Sequence, residues 1–412
     1  MARTSAAKSN GSAAAVAASE TRDRLSAMAA VAEKIPGYRP AREVLTRVRG
    51  VRTIFPQLDA ITRIGAWPIE RIALVHGPSN HGKTEMCLGL GKSFLEAGHY
   101  FTLIDAEFST PIDWLAQLGL PLDHPGFSAL RPSPYEETVD AVQRWAEAIG
   151  EAKAKGELPP DVAGLCVVDS LKKLTPKNLL AKLMKEAAEE DDAAKKAQAN
   201  GRRPRPKRGL DGMGGRAAQF KAALNNQWMD QLVPLTAQTG TGVVLIAREY
   251  EKGDDGDDFL TRDEDYVIGG GRGPVFDSSI RARVILEGEI WDGPDGAKRT
   301  VGQRHRVEIR KTKIGKKDER VPSALFHTSN GALVPEGFDA PRDYLDLAKD
   351  AGLIDMHGSF YWHGRTKLGQ GEHAAVVRLH KDRAAFEALA ADVRAMIEKQ
   401  IETERAARGL VS

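Results

Sequence analysis

The chain has 412 residues, 42% hydrophobic and 28% charged, ordinary for a soluble globular protein with one large core and smaller appendages. No apolar run reaches the roughly 18 residues of a transmembrane helix, and the Ala/Ser-rich opening has no apolar stretch of a signal peptide. A formal net charge of +2 is too small for a DNA-attracting field over the whole molecule, so any nucleic-acid binding must come from local patches of Lys and Arg.

Residues 1–20 are expected to form a disordered tail. Over 21–60, Leu25, Met28 and Val31 fall at helical spacing before Pro36, Gly37 and Pro40 break it, which predicts an N-terminal helical element serving docking or oligomerisation. Over 61–335, apolar runs alternate with helical segments. The expected strands are Ile72 to Val75, Tyr100 to Ile104, Leu165 to Val168, Val243 to Ala247, Ile280 to Leu286 and Arg306 to Arg310. That alternation predicts an α/β core with a mostly parallel central sheet covered by helices, its later strands pairing antiparallel. Over 336–412 a small α+β domain is expected, with a helix through Tyr344 to Ala351, a hairpin at Ser359 to Leu368 and a final helix from Arg383 to Arg405. Cys87 and Cys166 read as small core residues of a reduced, cytoplasmic protein.

The most specific local signal is Gly77, Pro78, Ser79, Asn80, His81, Gly82, Lys83 and Thr84, preceded by an apolar strand and followed by an amphipathic helix that opens with Glu85. Glycines let backbone N–H groups turn inward around phosphate oxygens, Lys83 neutralises β/γ charge, and the Thr84 hydroxyl is placed to ligate Mg²⁺. The helix dipole points at the same anion. Downstream, Glu107 closes the next strand and can orient and deprotonate an attacking water, although a solvated strand-end glutamate has the same appearance. The apolar run ending in Asp169 suits a buried strand that reaches the site with a metal-supporting carboxylate.

The segment 178–210 stands apart as an Ala/Glu/Lys-rich stretch passing into a proline-broken basic run with Arg202, Arg203, Arg205, Lys207 and Arg208. Composition leaves open whether this is a solvated linker or a set of phosphate contacts.

Together GPSNHGKT (77–84), LIDAE (103–107), VVDSLKKLTPK (167–177), VEIRKTKIGKK (307–317) and GSFYWHGRTKLGQG (358–371) resemble, in order and spacing, the RecA-type DNA strand-exchange ATPases in bacterial or bacteriophage form. The resemblance covers roughly residues 45–395. It implies a RecA-like P-loop ATPase that binds ATP and Mg²⁺ between neighbouring subunits of a homo-oligomeric helical filament on single-stranded DNA. It also implies pairing with double-stranded DNA, strand exchange, and single-strand-binding or mediator proteins as partners, with no membrane. By motif, Lys83 and Thr84 would bind phosphate and metal, Asp169 would support the metal and Glu107 would activate water. Trp114 falls near the aromatic that packs on adenine, and Lys311 and Lys313 match lysines that reach the adjacent subunit's ATP. The first DNA loop would take in the basic run, with Met213, Gly214 and Arg216 behind it. The second, 252–276, would present Gly270, Gly271, Arg272 and Phe276.

Three departures stand out. Asp254, Asp255, Asp257 and Asp258 would repel phosphates, so the front of the second loop faces away from DNA or serves a partner. Where the family ends a central strand on an amide or imidazole that senses the γ-phosphate, this chain has Arg248, free to contact phosphate or to pair with Glu249 or Asp169. The acidic tail of the bacterial branch is replaced by a basic ending. The leading reading is an ATP-dependent recombinase; the alternative is a filament-forming DNA-binding or regulatory protein in which ATP acts mainly as an assembly switch. A hexameric motor is disfavoured by the motif at 358–371.

Overall fold

In a computed structural model the described residues are 6–36, 47–132, 134–179, 181, 185, 214–251, 266–294, 296–314 and 321–407. The chain divides into two compact units, Met1–Arg47 and Val48–Ser412. Among the described residues the first carries the helix α1 (Ala6–Ala32). It begins inside the segment expected to be a disordered tail; alanine, the strongest helix former, dominates that stretch.

The second unit is built on a ten-stranded sheet. Its parallel heart comprises β3 (Ile72–Gly77), β4 (Tyr100–Asp105), β5 (Phe127–Leu130), β6 (Gly164–Asp169) and β7 (Thr241–Glu251). The antiparallel wing comprises β9 (Ile280–Asp292), β10 (Arg299–Thr312), β11 (Ser323–Ser329) and β12 (Gly337–Phe338). The order is β12-β11-β10-β9-β3-β7-β6-β4-β5, with β8 (Tyr266–Ile268) paired to β7. β3 and β6 are buried at every position, as expected of strands covered on both faces.

One face carries α3 (Lys83–Glu96), whose Met86, Leu88, Leu90 and Phe94 pack with Val244, Ile246 and Leu103. The other carries α5 (Tyr135–Ala154) and α6 (Gly214–Thr239), packing Val142, Trp228, Met229 and Leu232 on Val243, Leu245 and Val168. Both cysteines are buried in these cores. Before β3 lie β1 (Gly50–Val51), α2 (Pro56–Ile61) and β2 (Trp67–Pro68). Residues 50–60, grouped by sequence with the N-terminal element, belong to the large unit instead. The Phe55 ring lies 5.0 Å from Phe326 and 5.6 Å from Phe338, an apolar anchor that linear spacing does not reveal.

The C-terminal part has its own core of Tyr344, Leu345, Leu379, Leu389 and Val393. It is built from α8 (Ala340–Asp350), the sheet β13 (Asp355–His357), β14 (Phe360–His363) and β15 (Thr366–Gln370), then α9 (Glu372–Lys381) and α10 (Arg383–Ala407). The hairpin and last helix match expectation; α9 is not expected from the sequence. This part stays within the same compact unit as the ten-stranded sheet, joined where Asp343 of α8 meets His327 of β11 at 2.6 Å.

Arg202, Arg203, Arg205, Lys207, Arg208 and Met213, and the four aspartates at 254–258, lie outside the described residues. Gly214 and Arg216, expected in the first loop, stand in the opening turns of α6.

Candidate nucleotide site

Two further helices are described in the large unit, α4 (Ile112–Gln117) and α7 (Arg272–Asp277). The loop 77–84 leaves the carboxyl end of β3 and turns into α3 with backbone that L side chains resist, φ +60° at Asn80 and +90° at Gly82. A Cβ on Gly77 would sit 2.2 Å from the Val284 carbonyl oxygen, and one on Gly82 would sit 2.5 Å from His305 Nδ1. The loop rests on the antiparallel wing. Leu286 N–H donates to His81 Nδ1 (3.1 Å), and His305 Nδ1 donates to the His81 carbonyl (3.2 Å) while its ring stacks on Phe326 at 4.6 Å. Burial pushes the His305 imidazole down to about 4, so it supports the loop as a neutral ring. The first turn of α3 leaves backbone N–H groups unpaired toward the loop, as every helix start does.

Lys83 Nζ donates to the Pro78 carbonyl, closing the loop on itself. Burial holds its ammonium below the usual lysine range; Asp169 opposes that shift and Arg248 adds to it. Asp169 and Glu107 are brought together by the β4–β6 pairing, in which Asp105 stands opposite Asp169. The Asp169 carbonyl accepts from Ala106 N (2.8 Å) and Glu107 N (3.2 Å). Thr84 Oγ1 donates to Asp169 Oδ2 at 2.6 Å, and Ser170 Oγ donates to Glu107 Oε1 at 2.5 Å. Burial raises the Asp169 carboxyl to about 6, helped by Glu107 and Asp105 and opposed by Thr84 and Lys83.

A buried carboxylate beside a hydroxyl is a hard-oxygen donor pair that suits Mg²⁺, which a second positive charge would keep ionised. Among the described residues no group of three His, Cys, Asp or Glu could hold a metal. A cation here would therefore complete its shell with water and phosphate oxygens, as Mg²⁺ does with nucleotides.

β7 runs between β3 and β6, and Arg248 stands in register with Gly77. The expected alternatives for Arg248, pairing with Glu249 or Asp169, are not what the structure contains. Glu249 accepts from Arg283 at 2.8 and 2.9 Å and lies 2.7 Å from His76 Nδ1, while Arg283 stacks over the Tyr266 ring at 4.2 Å.

Lys311 Nζ donates to the carbonyls of Val275 (3.0 Å) and Phe276, and Lys313 Nζ to that of Asp277 (3.3 Å). Both lysines therefore hold the C-terminal carbonyls of α7, and burial with the neighbouring Lys313 and Arg281 charges lowers Lys311 to about 8. Trp114 is half-buried against the α3-side core. Gly270 and Gly271 have φ +105° and +89°, and Asn225 and Asn226 tie this turn to α6 through the Gly270 carbonyl (2.7 Å) and the Gly273 N–H (2.6 Å). Arg272 is exposed and Phe276 is 58% exposed. The segments 170–213 and 252–265 both follow the carboxyl ends of adjacent strands, β6 and β7.

His76, Glu249, Arg283 and His305 shape this site yet carry no motif, whereas Ser170 falls within the stretch 167–177. His81, inside the loop, also had a sequence signal.

Residues 343–398 match the RecA C-terminal domain family. The chain is 23% identical to Protein RecA of Chlorobium limicola over 85% of its own length and 83% of the relative's. It is 25% identical to Protein RecA of Deinococcus radiodurans (80% and 75% covered) and 23% to that of Thermus thermophilus (82% of each). The resemblance read from the motifs thus extends over most of the chain. Among the described residues no helix is long and apolar enough to cross a membrane.

Proposed function

We propose that this protein is a DNA-dependent ATPase that assembles as a helical filament on single-stranded DNA in the cytoplasm and promotes homologous pairing and strand exchange with double-stranded DNA. The observation that carries the reading is the convergence of Lys83, Thr84, Asp169 and Glu107 at the carboxyl ends of β3, β6 and β4, with β7 between the first two. The phosphate loop binds the triphosphate through backbone N–H groups and Lys83. Glu107, oriented by Ser170, takes the proton of the water that attacks the γ-phosphorus. Mg²⁺ held by Thr84 and Asp169 would neutralise charge on the phosphate oxygens. Lys311 and Lys313 are the residues that would exchange the α7 carbonyls for the ATP of an adjacent subunit. The basic run 202–208 and the turn Gly270, Gly271, Arg272 with Phe276 are the proposed DNA contacts, and single-strand-binding or mediator proteins the proposed loading partners.

A second reading, ATP as an assembly switch with slow turnover, is favoured by one feature: Lys311 and Lys313 are both engaged at α7.

ATP turnover measured with and without single-stranded DNA tests the choice. A recombinase is stimulated by DNA, and a switch is not. Lys83→Ala should abolish nucleotide-dependent filament growth. Glu107→Gln should bind ATP and assemble while losing roughly 100-fold or more in turnover; equal loss of binding would remove the assigned role.

A further inference from the structure

His81 lies between the two loop positions with left-handed backbone, Asn80 and Gly82, and the antiparallel wing holds both its ring and its carbonyl. A carbonyl only accepts, so Nδ1 of His305 is the donor to it and Nε2 carries the lone pair. That Nε2 is buried without a hydrogen-bond partner among the described residues. An apolar side chain of similar size would fill the space over Phe326 without that cost, so packing does not explain the imidazole; its bond to the loop does. In the β10–β11 register His305 stands opposite Phe326, and the next pair is Arg304 with His327. Successive residues of β11 point to opposite faces. Phe326 takes the His305 ring at 4.6 Å and Phe55 at 5.0 Å, and a Cβ on Gly89 of α3 would come within 2.3 Å of Phe55. His327 turns to α8, 2.6 Å from Asp343 and 3.8 Å from Asp346, and its carbonyl accepts from Asp339 N at 2.9 Å. One strand is thus gripped on one face by the support of the phosphate loop and on the other by the C-terminal part.

We propose that His305 is a positioning residue for nucleotide binding, and that through β11 the seating of the phosphate loop and the seating of the C-terminal part on the sheet form one coupled equilibrium. This rests on the ATPase reading above. The ligand is a nucleoside di- or triphosphate, whose phosphates need the backbone N–H groups of 77–84 turned inward. His305 holds the His81 carbonyl outward, toward the wing, and so favours that arrangement of the loop. A nucleotide that fixes the loop against His305 also fixes Phe326, and with it the strand that carries His327 to Asp343. Coupling between two equilibria is reciprocal, so loosening the His327 contact with α8 must weaken nucleotide binding although that side chain faces away from the loop.

The test measures the affinity of fluorescent ADP, with KM and kcat for ATP, in wild type, His305→Leu, His305→Asn, His327→Leu and the double leucine variant, at a temperature where melting curves show each folded. His305→Leu should bind ADP roughly tenfold more weakly, the cost of leaving a half-buried carbonyl unpaired. Its KM should rise by a similar factor while kcat stays within about twofold, because the contact is made equally before and during the chemical step. His305→Asn, whose amide can place a donor where Nδ1 stands, should recover most of the affinity. His327→Leu should weaken ADP binding about threefold. The double variant should lose less than the product of the two single losses. Losses that multiply, a His327→Leu affinity equal to wild type, or a His305→Asn as weak as His305→Leu would each overturn the proposal. If a variant does not fold, hydrogen exchange of wild type decides: saturating ADP should slow the amides of α8, and an unchanged rate there overturns the coupling. A wild type that binds neither ADP nor ATP would instead sink the ATPase reading, and this proposal with it.

Discussion

Thr84 of the phosphate loop donates a 2.6 Å hydrogen bond to Asp169 at the end of β6, so the residue after the loop lysine is joined directly to the buried acid. The Asp169 carboxyl is raised by burial to about 6. A raised acid binds protons more tightly folded than unfolded, so its contribution to stability falls as pH rises through the window from about 4 to about 6. Above that window the full cost of the charge remains, at most about 3 kcal/mol. Asp169→Asn keeps an acceptor for Thr84 and removes the charge. It should melt higher than wild type at pH 7.5, with the gap closing by pH 4.5, and lose Mg²⁺-dependent nucleotide binding. Thermal denaturation at the two pH values checks this; a gap that does not change with pH would mean the carboxylate is not the source.

Gly77 and Gly82 meet different kinds of neighbour. At Gly82 the obstacle to a Cβ is the His305 ring, whereas at Gly77 it is the backbone oxygen of Val284. Gly82→Ala should destabilise by roughly 1–3 kcal/mol from its φ and the overlap. Adding His305→Ala should return the overlap share, less what the missing stack on Phe326 costs. No side-chain truncation can relieve Gly77→Ala, which should be the more damaging variant. Urea unfolding of the single and double variants measures both.

Two buried imidazoles, His305 and His327, are each pushed down to about 4 by burial. His327 faces Asp343, Asp346, Asp339, Arg342 and Arg304, and the net effect of burial and these charges keeps it neutral. A depressed base binds fewer protons folded than unfolded, so stability falls as pH drops from about 6.5 to about 4, by at most about 3 kcal/mol per ring. Asp343, raised by burial, has the opposite slope and moderates the total. Replacing either histidine with Gln should flatten the wild-type loss across that interval in chemical denaturation; an unaltered slope would show that the ring charges in the folded state.

The basic run 202–208 is proposed above to contact the phosphate backbone. Deleting 201–208 removes five cations, and every phosphate the protein ceases to neutralise lowers the dependence of log affinity on log salt by roughly 0.7 on single strands. Anisotropy titrations with a labelled oligothymidylate across salt concentrations should therefore give a shallower slope by up to about 3.5. A slope equal to wild type would mark the run as a linker.

The sequence alone was enough for the glycine turn at 77–84, the strand ends that carry Glu107 and Asp169, the alternating strands and the C-terminal hairpin. Each of these is written in contiguous residues whose spacing follows the period of a strand, a helix or a glycine turn. It did not reveal that Phe55 is buried under Phe326, that α9 precedes the last helix, or that Lys311 and Lys313 hold the end of α7. Nor did it reveal that Glu249 is claimed by His76 and Arg283. Those relations join residues tens to hundreds of positions apart. Strand order and register decided them, because an ion pair forms with whichever group the folded sheet brings within about 4 Å, and chain proximity sets no such distance.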